Sequence, residues 1–228
     1  MSAPPRPGTP DRTPTTHQGH TRVDGIVFDM DGTLIESHAV VPAAYRAAVL
    51  DGGGPAPSDA EIISGYPLGP PSALLAHLLR RPATDADLAS YHAHLAALAE
   101  RVTVYPGVAD VLADVAARVP VGLFTGASHR AAEILLDRVG LLGHFRVVLG
   151  GDEVPRPKPA PDGVELACRL LGLAPGRAAY VGDSPLDLRA ARGSGAVAVA
   201  AGWGHQYDPG EAADLSAGRP RDLLSLLC

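Results

Sequence analysis

The chain has 228 residues, 46% of them hydrophobic and 19% charged, with a formal net charge of −6; that is enough to bury a full core, either as one large domain or as a core with a smaller insert. No apolar run approaches the roughly 18 residues that cross a bilayer. The acidic balance, with an isoelectric point near 5.8, argues against a polyanion-binding surface, so neither a membrane nor nucleic acid is expected as a partner.

Residues 1–22 carry Pro4, Pro5, Pro7, Pro10 and Pro14 among Thr, Gly and His and lack the apolar core of a signal peptide. They are expected to form a disordered tail. Two cysteines, Cys168 and Cys228, make no disulfide framework, and a reducing cytoplasm is the default location. Ile26, Val27 and Phe28 form a short apolar run that suits a strand buried on both faces and ending at Asp29. A period of two puts Asp29 and Asp31 on one side of the extended chain, with Met30 turned away and Gly32 free to take a positive φ and end the strand. Two carboxylates at the mouth of a sheet suit one divalent cation and one nucleophile; an ordinary Asp-Gly turn is the plainer alternative.

After Glu36-Ser37-His38, apolar positions in residues 39–50 recur at helical spacing until Asp51-Gly52-Gly53-Gly54-Pro55 stops them. Residues 58–101 read as further helices. Ser58 with Glu61 resembles a capping box, Pro71 opens residues 72–80, and Thr84 to Asp87 opens a longer helix to residue 101. No strand pattern interrupts this stretch. A helical block of about 65 residues is better read as an inserted cap than as a crossover, which needs only about a dozen. Val104-Tyr105-Pro106-Gly107 is the expected hinge back.

From residue 108 helix and strand alternate. Expected strands at 121–124, 146–149, 178–181 and 197–201 are interleaved with helices at 108–118, 130–139, 163–171 and 186–192. That order predicts an α/β fold: a Rossmann-like parallel sheet core with helices on both faces, made of residues 23–36 and 105–228, and an inserted α-helical cap of residues 37–104. Polar clusters fall where the strands end, at Asp29, at Thr125-Gly126-Ala127-Ser128, at Arg156-Pro157-Lys158-Pro159 and at Gly182-Asp183-Ser184. In open α/β sheets that edge is where ligands bind.

These clusters supply what phosphoryl transfer needs: a nucleophile, an acid for the leaving oxygen, and positive charge around the transferred group. Asp29 can attack and form an aspartyl phosphate, and Asp31 can protonate the leaving alkoxide and then deprotonate water. Asp183, with Asp29 and a backbone oxygen, can hold Mg²⁺. Thr125 and the amides of Gly126 and Ala127 precede a helix, where phosphate oxygens find unpaired N–H groups. Lys158 is the sole lysine among nineteen basic residues; held stiffly between two prolines, it can complete the cradle with a compact ammonium. Several of these residues have plainer readings: Thr125 and Ser128-His129-Arg130 as the start of a helix, Asp162 as a helix cap, and Ser184 with Asp187 as a capping box.

In these motifs, Asp29-Met30-Asp31-Gly32-Thr33, then Thr125, then Lys158 in Lys-Pro-x-Pro, then Gly182-Asp183-Ser184-x-x-Asp187, the chain resembles the haloacid dehalogenase superfamily. Within it the likeness is to the phosphoglycolate phosphatase and β-phosphoglucomutase-like group, over about residues 23–227. The resemblance implies Asp29 as nucleophile, Asp31 as acid and base, Thr125 and Lys158 on phosphate, and Asp29, Asp183 and the Asp31 carbonyl on Mg²⁺. Thr33, Ser184 and Asp187 are expected to support these groups from behind. Gly126-Ala127 stands where the family often has Asn-Lys, which removes a contact to substrate.

The leading expectation is hydrolysis of a small-molecule phosphate monoester. The alternative is a phosphomutase, which would need a second phosphate anchor among Arg80, Arg81 and Arg101. Dehalogenation needs no acid at position 31, and phosphonate cleavage needs a second lysine that the chain lacks. A binding protein on the same fold would be expected to have lost a charged motif residue, and none is missing. In the cap, the turn of residues 65–70 is the candidate to face the site, with Tyr66, His38 and His77 as candidate substrate contacts, each of which has a plainer reading as a packing or surface residue. Oligomeric state is not encoded in any of these patterns.

Overall fold

The first strand, β1 (Gly25–Phe28), is buried at every residue, as expected of a strand covered on both faces. The computed structural model describes residues 22–227, so all but the last residue of the expected N-terminal tail, and Cys228, lie outside the described residues. After β1 come β2 (Ile35–Glu36), α1 (Val41–Asp51), α2 (Asp59–Ser64), α3 (Pro71–Leu79), α4 (Asp85–Leu98) and β3 (Thr103–Val104). The chain continues as α5 (Val108–Ala116), β4 (Val121–Phe124), α6 (His129–Arg138), β5 (Val147–Leu149), α7 (Asp162–Leu170), β6 (Ala178–Gly182), α8 (Pro185–Ser194), β7 (Val197–Ala201) and β8 (Leu215–Ala217). A 3₁₀ segment, Pro220–Leu227, closes the described chain.

Six strands form one parallel sheet in the order β5-β4-β1-β6-β7-β8. Alternate side chains of β1 part to opposite faces. Ile26 and Phe28 join a core with Val111, Leu112 and Val115 of α5 and Leu135 of α6. Val27 joins another with Val164, Ala167 and Cys168 of α7 and Leu188 and Ala191 of α8. Helices therefore cover both faces of the parallel sheet, and the expected fold class holds.

The helices α1 to α4 pack on one another, chiefly α1 against α4, where Tyr45 and Tyr91 stack with ring centroids 4.3 Å apart. The expected capping box at Ser58 with Glu61 is present, and Thr84 with Asp87 forms another at the start of α4. Each satisfies backbone N–H groups that a helix start leaves without partners.

The structure corrects three local expectations. The strand β3, between the helical stretch that ends at residue 101 and the expected hinge, was not anticipated; it pairs antiparallel with β2 through Ile35 with Val104 and Glu36 with Thr103. A two-residue strand is too short to show a period. The sixth strand, β8, was not anticipated; it is a three-residue edge strand with Leu215 and Ser216 exposed, so it carries no apolar run. Asp162 is not the cap of α7. Pro161 holds that position, and Asp162 is the first helical residue, accepting from Arg156 Nε at 3.0 Å.

Candidate active site

The sheet order places the ends of three adjacent strands side by side. β1 leads into Asp29, whose N–H continues the ladder to the Val181 carbonyl at 2.8 Å. β4 leads into Thr125, whose N–H reaches the Leu149 carbonyl at 3.1 Å, and β6 leads into Asp183. The sheet crosses over between β4 and β6, and the carboxyl edge there is where a crevice opens.

Lys158 reaches this edge from the segment between β5 and α7. Its Nζ donates to Asp29 Oδ1 at 2.7 Å and to Asp187 Oδ1 at 2.6 Å. The Tyr180 hydroxyl lies 3.3 Å from the same ammonium and donates to the Phe124 carbonyl at 2.8 Å. Burial would push the Lys158 ammonium down, but Asp187 and Asp29 outweigh it and hold it charged well above its ordinary value. Burial pushes the Asp29 carboxyl well up, with Asp187 and Asp183 adding to the rise and Lys158 opposing it.

Asp187 has two roles. One oxygen completes the capping box at the start of α8, accepting from the Ser184 N–H at 3.0 Å and the Ser184 hydroxyl at 2.6 Å. The other faces Lys158. The capping reading of Ser184 and Asp187 was therefore correct as far as it went, and it left out the ion pair across the sheet.

Asp29, Asp183 and Asp187 offer carboxylate oxygens that lie within 4.8 Å of one another. All three are buried, Asp183 and Asp187 to 1% exposure. Asp183 Oδ2 accepts from the Gln206 N–H at 2.9 Å, while Asp183 Oδ1 is buried with no hydrogen-bond partner among the described residues. Burial, with Asp187 adding, pushes the Asp183 carboxyl up to about 6. A buried carboxylate oxygen left without a partner costs free energy unless something positive meets it. An all-oxygen donor set crowded in this way fits a hard divalent cation such as Mg²⁺. The surroundings of Asp183 are tight: a Cβ on Gly204 would run into the Asp183 side chain and the Gly32 carbonyl, and one on Gly32 (φ 83°) into the Asp183 carboxylate.

Asp31 lies just past Asp29 and accepts from the Ser37 hydroxyl. Burial raises its pKa above the ordinary carboxylate value, while Ser37, Lys158 and His205 partly offset the rise. A carboxyl that holds its proton more tightly suits a group that must donate one. Thr125 is buried, and its Oγ1 accepts from the Ala127 N–H at 3.2 Å. Gly126 is exposed, and a Cβ there would meet only the Lys158 Cε, 4.0 Å away. Position 126 is thus open to solvent beside the Lys158 stem. Ser128 caps α6, accepting from the Ala131 N–H at 3.2 Å.

The remaining candidates divide. Thr33 is fully buried; its hydroxyl has no partner among the described residues, and its carbonyl accepts from Trp203 Nε1 at 2.8 Å. Tyr66 is half-buried beside Asp31: burial first, then the Asp31 carboxylate, push its phenol well above the ordinary value. His38 is exposed and pairs with Glu36. His77 is exposed on α3, and among the described residues no hydrogen bond or ion pair joins it to the carboxylates. Arg81 is held by Asp87 at 2.7 and 2.8 Å; Arg80 and Arg101 are exposed.

Sequence reasoning missed Ser37, Tyr180, and the loop after β7 that brings Gly204, His205 and Gln206 onto Asp183. His205 Nδ1 lies 3.9 Å from Asp183 Oδ2 and 3.4 Å from the Tyr105 hydroxyl, which donates to Glu36 Oε2 at 3.0 Å. The only local signal was the pair of glycines at 202 and 204.

Known proteins resemble this chain in sequence and in fold. The chain is 34% identical over 219 residues to a phosphoglycolate phosphatase of Chromobacterium violaceum, covering 90% of this chain and 96% of that one. It is 30% identical to the phosphoglycolate phosphatase of Escherichia coli K12, covering 85% and 86% of the two. The crystal structure of CbbY from Rhodobacter sphaeroides in complex with phosphate is 26% identical and superposes with a TM-score of 0.76 over 90% of this chain and 99% of that one. A mutant of that protein has been crystallised with xylulose-(1,5)bisphosphate. The family model for haloacid dehalogenase-like hydrolases matches residues 23–195, a span that runs from β1 with Asp29 to the end of α8 and takes in Thr125, Lys158, Asp183 and Asp187. By that match and these relatives, the chain belongs to the haloacid dehalogenase-like hydrolases.

Proposed function

We propose that the chain is a Mg²⁺-dependent phosphatase that hydrolyses a small-molecule phosphate monoester through an aspartyl phosphate on Asp29. The observation that carries this reading is the placement of Asp29: at the end of a central strand, 2.7 Å from the chain's sole lysine and within 4.8 Å of Asp183 and Asp187. Mg²⁺ held by Asp29, Asp183 and the Asp31 carbonyl, with Asp187 beside them, would screen the anionic nucleophile from the anionic substrate.

In the first step an Asp29 oxygen attacks phosphorus while the bond to the ester oxygen breaks, and Asp31 gives its proton to that oxygen. Lys158 and the Gly126 N–H meet the charge on the transferred group, while the Ala127 N–H, expected to join them, donates to the Thr125 hydroxyl oxygen. In the second step Asp31 takes a proton from water, whose oxygen attacks phosphorus and releases Asp29 and inorganic phosphate. Residues 37–104 act as a cap that closes over the edge and excludes bulk water; the nearness of Tyr66 to Asp31 supports this. The buried free thiol of Cys168 fits a reducing cytoplasm.

A phosphomutase would need a second phosphate anchor, and Arg81 is already committed to Asp87. The test is release of phosphate from a panel of monoesters with Mg²⁺, with excess chelator, and by Asp29→Asn. Release that needs both the metal and Asp29 is expected. Release indifferent to either would overturn the reading.

A further inference from the structure

We propose, resting on the phosphatase reading, that Tyr180 is a positioning residue. Its buried hydroxyl seats the Lys158 ammonium and ties it to the end of β4, so that the lysine and the loop that receives phosphate keep one geometry.

Lys158 reaches the site from a loop, and a lysine head on four flexible carbons is placed by what it binds at its tip. An ammonium has three N–H donors and no acceptor. Two of them go to Asp29 Oδ1 at 2.7 Å and to Asp187 Oδ1 at 2.6 Å. The third partner is the Tyr180 hydroxyl at 3.3 Å. These partners differ in what the reaction does to them. Asp29 gives an oxygen to phosphorus, so the donor that faces it is the one that can pass to the arriving phosphoryl group. Asp187 and Tyr180 are 1% and 0% exposed, too deep for a substrate oxygen to displace them, and they keep hold of the ammonium throughout.

The hydroxyl can accept from Lys158 because its own proton is committed elsewhere. It donates to the Phe124 carbonyl at 2.8 Å, which leaves a lone pair for the ammonium. Phe124 is the last residue of β4, and Thr125 and Gly126 follow it directly. One oxygen therefore joins the strand that carries the phosphate loop, the chain's sole lysine and, at 3.3 Å, Asp187 Oδ1 near the start of α8. The ring that carries it is fixed in the core with Val164, Ala167 and Leu188, its centroid 6.1 Å from that of Phe124. The Lys158 Nζ stands 5.6 Å from the Phe124 centroid and 5.9 Å from that of Tyr180, close enough for both rings to attract it. Packing in this core needs the ring and not the oxygen.

Tyr180→Phe keeps the ring and removes the oxygen. The test follows nitrophenol release from p-nitrophenyl phosphate in a single turnover, with the full chain in excess, Mg²⁺ present, and a temperature at which calorimetry shows every variant folded. Tyr180→Phe is expected to lower the rate constant roughly tenfold, the worth of a hydrogen bond to a charged group. In a Lys158→Gln background the same change is expected to cost less than about twofold, because a residue that acts through the ammonium then has nothing to place. A merely structural residue would lower the melting temperature and cost the same in both backgrounds. An unchanged rate in Tyr180→Phe, or an equal loss with and without Lys158, would overturn the inference and leave the phosphatase reading standing. Absence of any release by the unaltered chain that needs both Mg²⁺ and Asp29 would overturn both.

Discussion

Asp31 is the residue whose surroundings say most about its chemistry. Its neighbour Asp29 is tied to Lys158, while Asp31 accepts from the Ser37 hydroxyl; burial raises both carboxyls, so it is their different partners that set the two to different tasks. Asp31→Asn is expected to lower steady-state turnover by about 10²–10⁴-fold, the usual worth of a positioned acid and base. With p-nitrophenyl phosphate, whose leaving group needs no proton, the first step survives. Rapid mixing should then show a burst of nitrophenol equal to the enzyme concentration, followed by slow turnover. A variant that turns over normally would remove Asp31 from the mechanism.

At the scale of elements, the helical block is organised by α4, which stacks Tyr91 on Tyr45 of α1 and starts at a capping box. Asp87 takes hydrogen bonds from Arg81, from the Thr84 N–H and from the Thr84 hydroxyl, and these hold its carboxyl well below the ordinary range. A carboxylate depressed in the folded state adds stability above its unfolded value, near 3.9, and loses it as pH falls through that value toward the folded one. Asp87→Asn is therefore expected to lower the melting temperature at pH 7, with the gap to the unaltered chain narrowing below about pH 4. A gap independent of pH would assign the effect to packing instead.

For the whole molecule, the unpartnered Asp183 Oδ1 and the crowded carboxylates leave repulsion in the folded state that a divalent cation would relieve. Binding to the folded state alone stabilises by about 2.7 kcal/mol at a hundred times Kd, which for a chain of this length is roughly 5–10 °C in Tm. Scanning calorimetry is expected to show that rise with Mg²⁺, its reversal by chelator, and its absence in Asp183→Asn. A rise that persists in Asp183→Asn would place the cation elsewhere.

Much of this protein could be read without coordinates. The apolar run before Asp29, the alternation of helix and strand after residue 108, and the four polar clusters at strand ends are local patterns, and local patterns report strands, caps and the edge of a parallel sheet. They brought Asp29, Asp31, Thr125, Lys158 and Asp183 to one edge on paper, and those residues do lie there together. What tertiary structure alone decided was which groups answer one another across the fold. Tyr180 came from a buried strand with no polar signal. Ser37 was one of three polar residues in a row, and the loop around Gly204 looked like any glycine-rich turn. Asp187 had a complete local explanation as a cap, and its bond to Lys158, 29 positions away in sequence, exists only because α8 and the segment after β5 meet at the same strand ends. Hydrogen bonds and unanswered charge depend on distance in space, and a sequence period records only the neighbours along the chain.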